Sequence, residues 1–132
     1  MSKDDEDRTL VFENAVRPSR VEAAPPPWLR ARVVVVRGAE EGRTFPLEDS
    51  KTVLGRGKDA AIVLSDPALS RHHAEIVFGG TEFRIRDLES SNGTLLNGSE
   101  VDEYALRHGD KITVGETQLR FELERTERSD AY

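Results

Sequence analysis

The chain has 132 residues, of which 36% are hydrophobic and 33% charged, so we expect one folded domain flanked by polar tails. The net charge of −6 argues against general nucleic-acid binding, and the lack of cysteine excludes a disulfide framework and a thiolate metal site. No apolar run approaches the about 18 residues of a membrane span, and the acidic start is unlike a signal peptide, so we expect a cytoplasmic protein without membrane partner, cofactor or metal.

The first 29 residues are predicted to form a flexible tail. Residues 1–15 are rich in Asp and Glu, and residues 25–27 are three consecutive prolines, which favour an extended linker. The polar residues 125–132 are predicted to form a second, frayed tail. The folded domain is therefore expected to span residues 30–124.

The segment between the two tails has the pattern of successive β-strands. Residues 31–38 contain four consecutive valines, and apolar residues alternate with polar ones in residues 81–87, 111–115 and 117–124. Shorter apolar stretches separated by Gly, Asp, Ser and Pro lie at residues 44–47, 52–54, 61–64 and 76–78. No segment has a helical period longer than about two turns. The pattern predicts an all-β sandwich.

The first polar cluster, LGRGKD at residues 54–59, is placed to present a cation at the end of a strand. The glycines on either side of Arg56 allow a sharp backbone turn that leaves the guanidinium exposed. A nucleotide phosphate loop is excluded, because Thr52 stands where its first glycine belongs and Asp59 replaces the required hydroxyl residue. Taken alone, this stretch is better interpreted as a plain hairpin turn than as a binding site.

The second cluster, LSRHHAEI at residues 69–76, places a hydroxyl, a guanidinium and two imidazoles before a strand. Adjacent strand residues point to opposite faces, so His72 and His73 are not expected to chelate one metal. Alternation alone indicates a buried His72 and an exposed His73, but a bend before the strand would reverse this. A hydrolase using Ser70, His73 and Asp87 is disfavoured, because the G-x-S-x-G elbow and a helix to build it are missing. We therefore expect no enzyme.

The third cluster, LESSNGTLLNG at residues 88–98, contains two Asn-Gly pairs, which are strong signals of tight turns. The second pair, Asn97-Gly98, is interpreted as the turn of a hairpin. Ser91 and Asn92 offer a hydroxyl and an amide at a loop tip, and both groups can bond a ligand. Combined with the cations and hydroxyl of the first two clusters, this loop suits a phosphate dianion, which guanidinium binds in fork geometry.

The order of these motifs resembles the forkhead-associated (FHA) domain. The matching residues are Gly55-Arg56, Ser70-Arg71-His72-His73-Ala74 and Ser90-Ser91-Asn92-Gly93-Thr94-Leu95-Leu96-Asn97-Gly98. The motifs cover residues 55–98, and the strand pattern extends the match to roughly 31–124. The resemblance implies an FHA-type β-sandwich of about eleven strands that recognises phosphothreonine in an extended segment of a partner protein.

The resemblance also implies roles for the motif residues. The expected phosphothreonine-binding residues are Arg56, Ser70, Arg71, Ser91 and Asn92. The expected structural residues are Gly55, His73, Gly93 and Asn97. In the first group Arg56 and Ser70 would hold the phosphate, and Asn92 would bond the peptide backbone.

The acidic tail contains EDRTLVFEN at residues 6–14, which is similar to the phosphorylatable tail of small bacterial FHA regulators. A Ser/Thr protein kinase would modify Thr9, and phospho-Thr9 would then fold back onto Arg56 and Ser70 in competition with outside partners. An acidic solubilising tail with an unused threonine remains the alternative.

Two further readings of the whole chain remain open. A phosphate-independent protein scaffold would use the same edge of the sandwich without needing Arg56. A structural oligomer is the other, and because no sequence feature points to one, we expect a monomer.

Overall fold

The computed structural model describes residues 24–126, which form eleven β-strands and no helix. The strands are β1 (Leu29–Arg37), β2 (Thr44–Pro46), β3 (Lys51–Gly55), β4 (Ile62–Val63), β5 (Ala74–Phe78), β6 (Phe83–Asp87), β7 (Thr94–Leu96), β8 (Ser99–Glu100), β9 (Glu103–Ala105), β10 (Lys111–Val114) and β11 (Thr117–Arg125). Residues 24–126 therefore contain no helix that could cross a membrane.

The strands form two sheets that pack face to face. Six strands lie in the order β8-β7-β10-β11-β1-β2, and five lie in the order β9-β6-β5-β3-β4. All described neighbours are antiparallel except β3 and β4. The prediction of an all-β, FHA-type sandwich of about eleven strands is therefore confirmed.

The core lies between the inner faces of the two sheets. In β1 the inward residues are Leu29, Ala31, Val33 and Val35, so only two of the four consecutive valines are buried. Phe83 of the five-stranded sheet lies 5.6 Å, centroid to centroid, from Phe121 of the six-stranded sheet. Such aromatic contacts stabilise a core by about 0.5–1.5 kcal/mol beyond their buried area, and this one joins the two layers.

The strand registers define two ends of the sandwich. Leu29 pairs with Arg125 at one end, so both described termini leave the domain there. At the other end lies the β10–β11 turn, because Val114 pairs with both Thr117 and Thr94. The end of β3, the start of β5 and the end of β6 meet at this second end, which we call the loop end.

Candidate functional site

Three loops meet at the loop end, and each carries one of the polar clusters of the sequence. The loop after β3 begins with Arg56, whose backbone N–H donates to Ser70 O at 3.2 Å. The loop before β5 is joined to the loop after β6 by the bond from Leu88 N to His73 O, 2.9 Å. Ser91 N, in that last loop, donates to Ser70 Oγ at 3.0 Å. The fold thus brings together clusters that are up to 35 residues apart in sequence.

His73 is fully buried and joins two of these loops. Its Nδ1 accepts the backbone N–H of Ser70 at 3.2 Å, and its Nε2 lies 2.8 Å from the carbonyl oxygen of Gly93. A carbonyl only accepts, so Nε2 carries the hydrogen and the ring is the neutral Nε2–H tautomer. The imidazole therefore holds the loop before β5 against the loop after β6.

The neighbouring His72 is exposed, which reverses the burial that simple alternation indicates. Its Nε2 lies 2.8 Å from Asp59 Oδ1 at the surface. Alternation fails because β5 begins only at Ala74 and all five residues of that strand are buried, so His73 turns inward from the loop rather than from the strand.

Arg56 is exposed, but its side chain is held in place at one point. Its Nε donates to Leu69 O at 2.6 Å. Within residues 24–126 the two terminal Nη groups make no hydrogen bond or ion pair. The forked end of the guanidinium is therefore available to a ligand oxygen, while the Nε bond fixes its direction.

Gly55 allows the end of β3 to pass very close to the loop before β5. A Cβ at this position would lie 2.1 Å from Arg71 O and 2.8 Å from Ser70 O. The backbone of Gly57 also contacts this loop, because its N–H donates to Arg71 O at 3.0 Å. The approach positions Arg56, between the two glycines, beside Ser70.

Ser70 keeps a donor for a ligand although its oxygen is already used. Its Oγ accepts from Ser91 N and donates to no acceptor within residues 24–126. Asn92 donates from Nδ2 to Ala68 O at 2.7 Å, and its Oδ1 is left for a ligand donor. Ser91 and Asn92 are both exposed at the loop tip.

The loop after β6 is organised by Asp87. In the sequence this residue was named only as a member of the disfavoured hydrolase triad. Its Oδ1 accepts from Ser90 Oγ at 2.6 Å and from Thr94 Oγ1 at 2.7 Å, and Gly93 N donates to Ser90 Oγ at 2.9 Å. Gly93 itself has a positive φ of 83°. Burial opposes ionisation of Asp87, but the bonds from Ser90 and Thr94 outweigh it and lower its pKa. The sequence signal that could have indicated this role is the spacing of Ser90 and Thr94, three and seven residues after the aspartate.

These contacts do not form a catalytic triad. His73 bonds the backbone N–H of Ser70 rather than its hydroxyl, and Ser70 Oγ accepts from Ser91. Asp87 bonds Ser90 and Thr94 instead of an imidazole. In residues 24–126 no three His, Cys, Asp or Glu side chains are grouped to hold a metal ion.

Arg71 is exposed beside Ser70 and makes no described side-chain bond, so it can add positive charge at the rim. Asn97 lies away from this site, at the opposite end of β7. It forms the β7–β8 hairpin turn with Gly98, with φ values of 52° and 89°, and its Nδ2 donates to Asp110 at 3.0 Å. The structure therefore groups Arg56, Ser70, Arg71, Ser91 and Asn92 and leaves Asn97 outside.

Comparison with known proteins gives a consistent result. The family model for the FHA domain matches residues 52–115. The chain is 40% identical over 109 residues to the glycogen accumulation regulator GarA of Mycobacterium tuberculosis, covering 83% of this chain and 65% of that protein. It is 37% identical over 91 residues to the oxoglutarate dehydrogenase inhibitor of Corynebacterium jeikeium, covering 69% of this chain and 63% of that protein.

The fold is also that of solved FHA domains. A domain from a study of phosphothreonine-dependent FHA domain interactions superimposes with a TM-score of 0.66 at 34% identity, covering 70% of this chain and 95% of that one. The chain spans less than two thirds of the length of the curated relatives named above. The sandwich, the three loop motifs and these matches together establish that the chain belongs to the FHA domain family.

Proposed function

We propose that this chain is a cytoplasmic, monomeric protein-binding module that recognises phosphothreonine in Ser/Thr kinase signalling. The observation that carries the proposal is the forked end of Arg56, which makes no bond within residues 24–126, together with the Ser70 hydroxyl in the adjoining loop. The Nε bond to Leu69 O holds Arg56, and the bond from Ser91 N holds Ser70 Oγ. A phosphate dianion accepts charge-assisted hydrogen bonds from such a pair. The module binds the phosphorylated protein and does not transform it.

The remaining site residues fit an extended peptide around the phosphate. Ser91 lies next to Ser70 and adds a hydroxyl, and Arg71 adds charge at the rim. Asn92 keeps its Oδ1 for a backbone N–H of the peptide, because only its Nδ2 is bonded to Ala68. The buried His73 holds the two loops that carry these groups and makes no contact with ligand.

The relatives support the same class of function. One solved neighbour was studied for phosphothreonine-dependent FHA interactions, and two curated relatives are named a regulator of glycogen accumulation and an inhibitor of oxoglutarate dehydrogenase. Both names describe a regulatory role, which supports a regulatory binding function for this chain.

The test is capture of the unphosphorylated full chain on peptide pools with a fixed central phosphothreonine, compared with pools containing threonine. We expect retention on the phosphorylated pool alone. Arg56→Ala and Ser70→Ala each remove a phosphate contact and should weaken binding at least about tenfold. Arg120→Ala removes an exposed arginine of β11 and should leave binding unchanged.

The competing scaffold function makes the opposite prediction. Equal retention on both pools, with no effect of Arg56→Ala, would favour phosphate-independent binding at the same edge of the sandwich. If the wild-type chain has esterase activity that Ser70→Ala abolishes, the hydrolase hypothesis would be favoured instead.

We further propose that phospho-Thr9 is a ligand of this site in the same chain. Thr9 lies outside the described residues, but the point where the tail joins the domain is defined. Leu29 is at the end of the sandwich opposite the site, so the tail must cross the nine residues of β1, about 27 Å. The 20 residues from Thr9 to Leu29 have a root-mean-square span of about 25 Å, which matches that distance. A linker that matches its span gives the highest effective concentration, about millimolar.

A semisynthetic full chain carrying phospho-Thr9 tests this closure. If the peptide binds with a Kd of about 1 µM, closure should weaken capture of the phosphothreonine pool about a thousandfold. The unphosphorylated chain and the Thr9→Ala chain should both be captured at full strength, which would show that the loss of capture requires the phosphate on Thr9. Undiminished capture by the phospho-Thr9 chain would reject the closure and leave binding to other proteins intact.

A further inference from the structure

Asp66 is a buried carboxylate to which neither the motifs nor the proposed function gives a role. It lies in the loop between β4 and β5 and is 6% exposed. Its Oδ1 accepts from Ala68 N at 2.9 Å, within its own loop. Its Oδ2 accepts from Glu116 N and from Thr117 Oγ1, both at 2.8 Å. The carboxylate therefore ties this loop to the β10–β11 turn of the opposite sheet.

The loop that Asp66 fixes carries two carbonyl groups that hold ligand-binding side chains. Leu69 O accepts from Arg56 Nε at 2.6 Å. Ala68 O accepts from Asn92 Nδ2 at 2.7 Å. Arg56 and Asn92 come from different loops, and these consecutive carbonyls set the position of one relative to the other.

The β10–β11 turn packs closely enough to act as the anchor. A Cβ on Gly115 would lie 2.8 Å from Asp66 Oδ2 and 3.2 Å from Ala68 Cβ, so a larger residue would displace the carboxylate from its present position. Thr117 is buried at 2% exposure, and its hydroxyl bond to Asp66 is shielded from water. A charge-assisted bond in such surroundings is stronger than one at the surface.

We infer that Asp66 is a positioning residue of the phosphothreonine site, which transmits the fixed geometry of the opposite sheet to Arg56 and Asn92 through the carbonyls of residues 68 and 69. The inference rests on the proposed function and adds a residue that does not touch the ligand. The loop after β6 has its own anchor in Asp87, so the two carboxylates hold the two sides of the site separately.

Asp66→Asn is the direct test, because the amide keeps one acceptor oxygen and places an NH2 group where the other carboxylate oxygen accepted hydrogen bonds. Either the bond from Ala68 or the bond from Glu116 is then lost. We expect the Kd of the unphosphorylated full chain for the phosphothreonine peptide pool to rise about tenfold at a temperature where the variant is folded. Glu122→Gln makes the same change of group on the six-stranded sheet, away from the site, and should leave the Kd unchanged.

A second measurement requires no ligand and separates positioning from general loss of stability. In the free wild-type chain the Nε–H of Arg56 is bonded to Leu69 O, so its NMR signal should exchange slowly with water. In folded Asp66→Asn this exchange should become faster. Thr117→Val should have the same effect to a smaller extent, and Thr117→Ser, which keeps the hydroxyl, should restore protection.

The outcomes are distinguishable. A folded Asp66→Asn chain with wild-type Kd and a protected Arg56 Nε–H would overturn the inference. A wild-type chain that binds no phosphothreonine peptide would overturn the proposed function, while the Nε–H exchange would still decide whether Asp66 positions Arg56. If Asp66→Asn does not fold, the Thr117 pair gives the decision.

Discussion

Gly55 is the residue at which the site depends most directly on the lack of a side chain. Its φ is not in the left-handed region, so a turn conformation is not what excludes a larger residue there. The reason is contact: a Cβ would lie 2.1 Å from Arg71 O and 2.7 Å from Arg71 C. These are backbone atoms, which cannot rotate away as the end of a flexible side chain could.

We therefore expect Gly55→Ala to lower the free energy of unfolding by about 1–3 kcal/mol, as overpacking of a close contact does. The forced shift of the Ser70–Arg71 backbone should also weaken capture on the phosphothreonine pool. Gly79→Ala is the matched control, because a Cβ there meets nothing closer than Glu82 O at 3.8 Å. Urea denaturation of the two variants checks the prediction, and equal midpoints would contradict it.

For individual residues, the sequence predicts which side chains could bind a ligand, but not the hydrogen bonds that hold those side chains in position. The motif spacing places Arg56 and Ser70 at strand ends, because strand patterns define those ends. Asp66 gives no such signal, since an aspartate followed by proline is typical of an ordinary turn. Its donors, Glu116 and Thr117, are 50 and 51 residues away, and only the packing of the two sheets brings them together.

Among the elements, the long strands are predicted closely, whereas the short ones are predicted only in part. The predicted strands at 31–38 and 117–124 correspond to Leu29–Arg37 and Thr117–Arg125. The hairpin predicted at Asn97-Gly98 implies a strand on each side of the turn, and these strands are β7 and β8, although their bounds were not predicted. The strand β9 was not predicted. The three residues of β9 are too few for a period to be recognised and none of them is buried, and β8 is fully exposed at the edge of its sheet.

The strand β5 illustrates why alternation could not decide which histidine is buried. All its residues are buried, although only one face meets the core. On the other face Glu75 is covered by Arg86, whose Nη1 donates to it at 2.8 Å, and Arg86 lies opposite Glu75 in the register of β5 and β6. Because Glu75 is buried by its cross-strand partner, its charge in the sequence wrongly predicts an exposed position.

The whole molecule carries a net charge of −6, but two of its carboxylates act as structural links at the loop end. Burial alone would raise the pKa values of Asp66 and Asp87. The hydrogen bonds from Thr117, Ala68 and Glu116 in one case, and from Ser90 and Thr94 in the other, outweigh it, so both pKa values are lowered. Both groups are therefore ionised in the folded protein at neutral pH.

A lowered pKa in the folded state gives the pH dependence of stability a definite sign. Above the ordinary aspartate pKa of 3.8 the unfolded chain is also ionised, and the full stabilisation by Asp66 is present. As the pH falls below 3.8 and through the lowered pKa, the folded protein must take up a proton that weakens the bonds from Glu116 and Thr117, and this stabilisation is lost.

We therefore expect the difference in unfolding free energy between wild type and Asp66→Asn to be constant from pH 7 to about pH 5 and to shrink as the pH approaches 2. A protonated carboxyl resembles the amide in keeping one acceptor oxygen, so the two chains converge. Repulsion among the 19 Lys and Arg residues at low pH affects both chains and cancels in the difference. Urea denaturation at several pH values measures this difference, and a value that stays constant to pH 2 would mean that the Asp66 carboxylate is not the ionised link that its hydrogen bonds indicate.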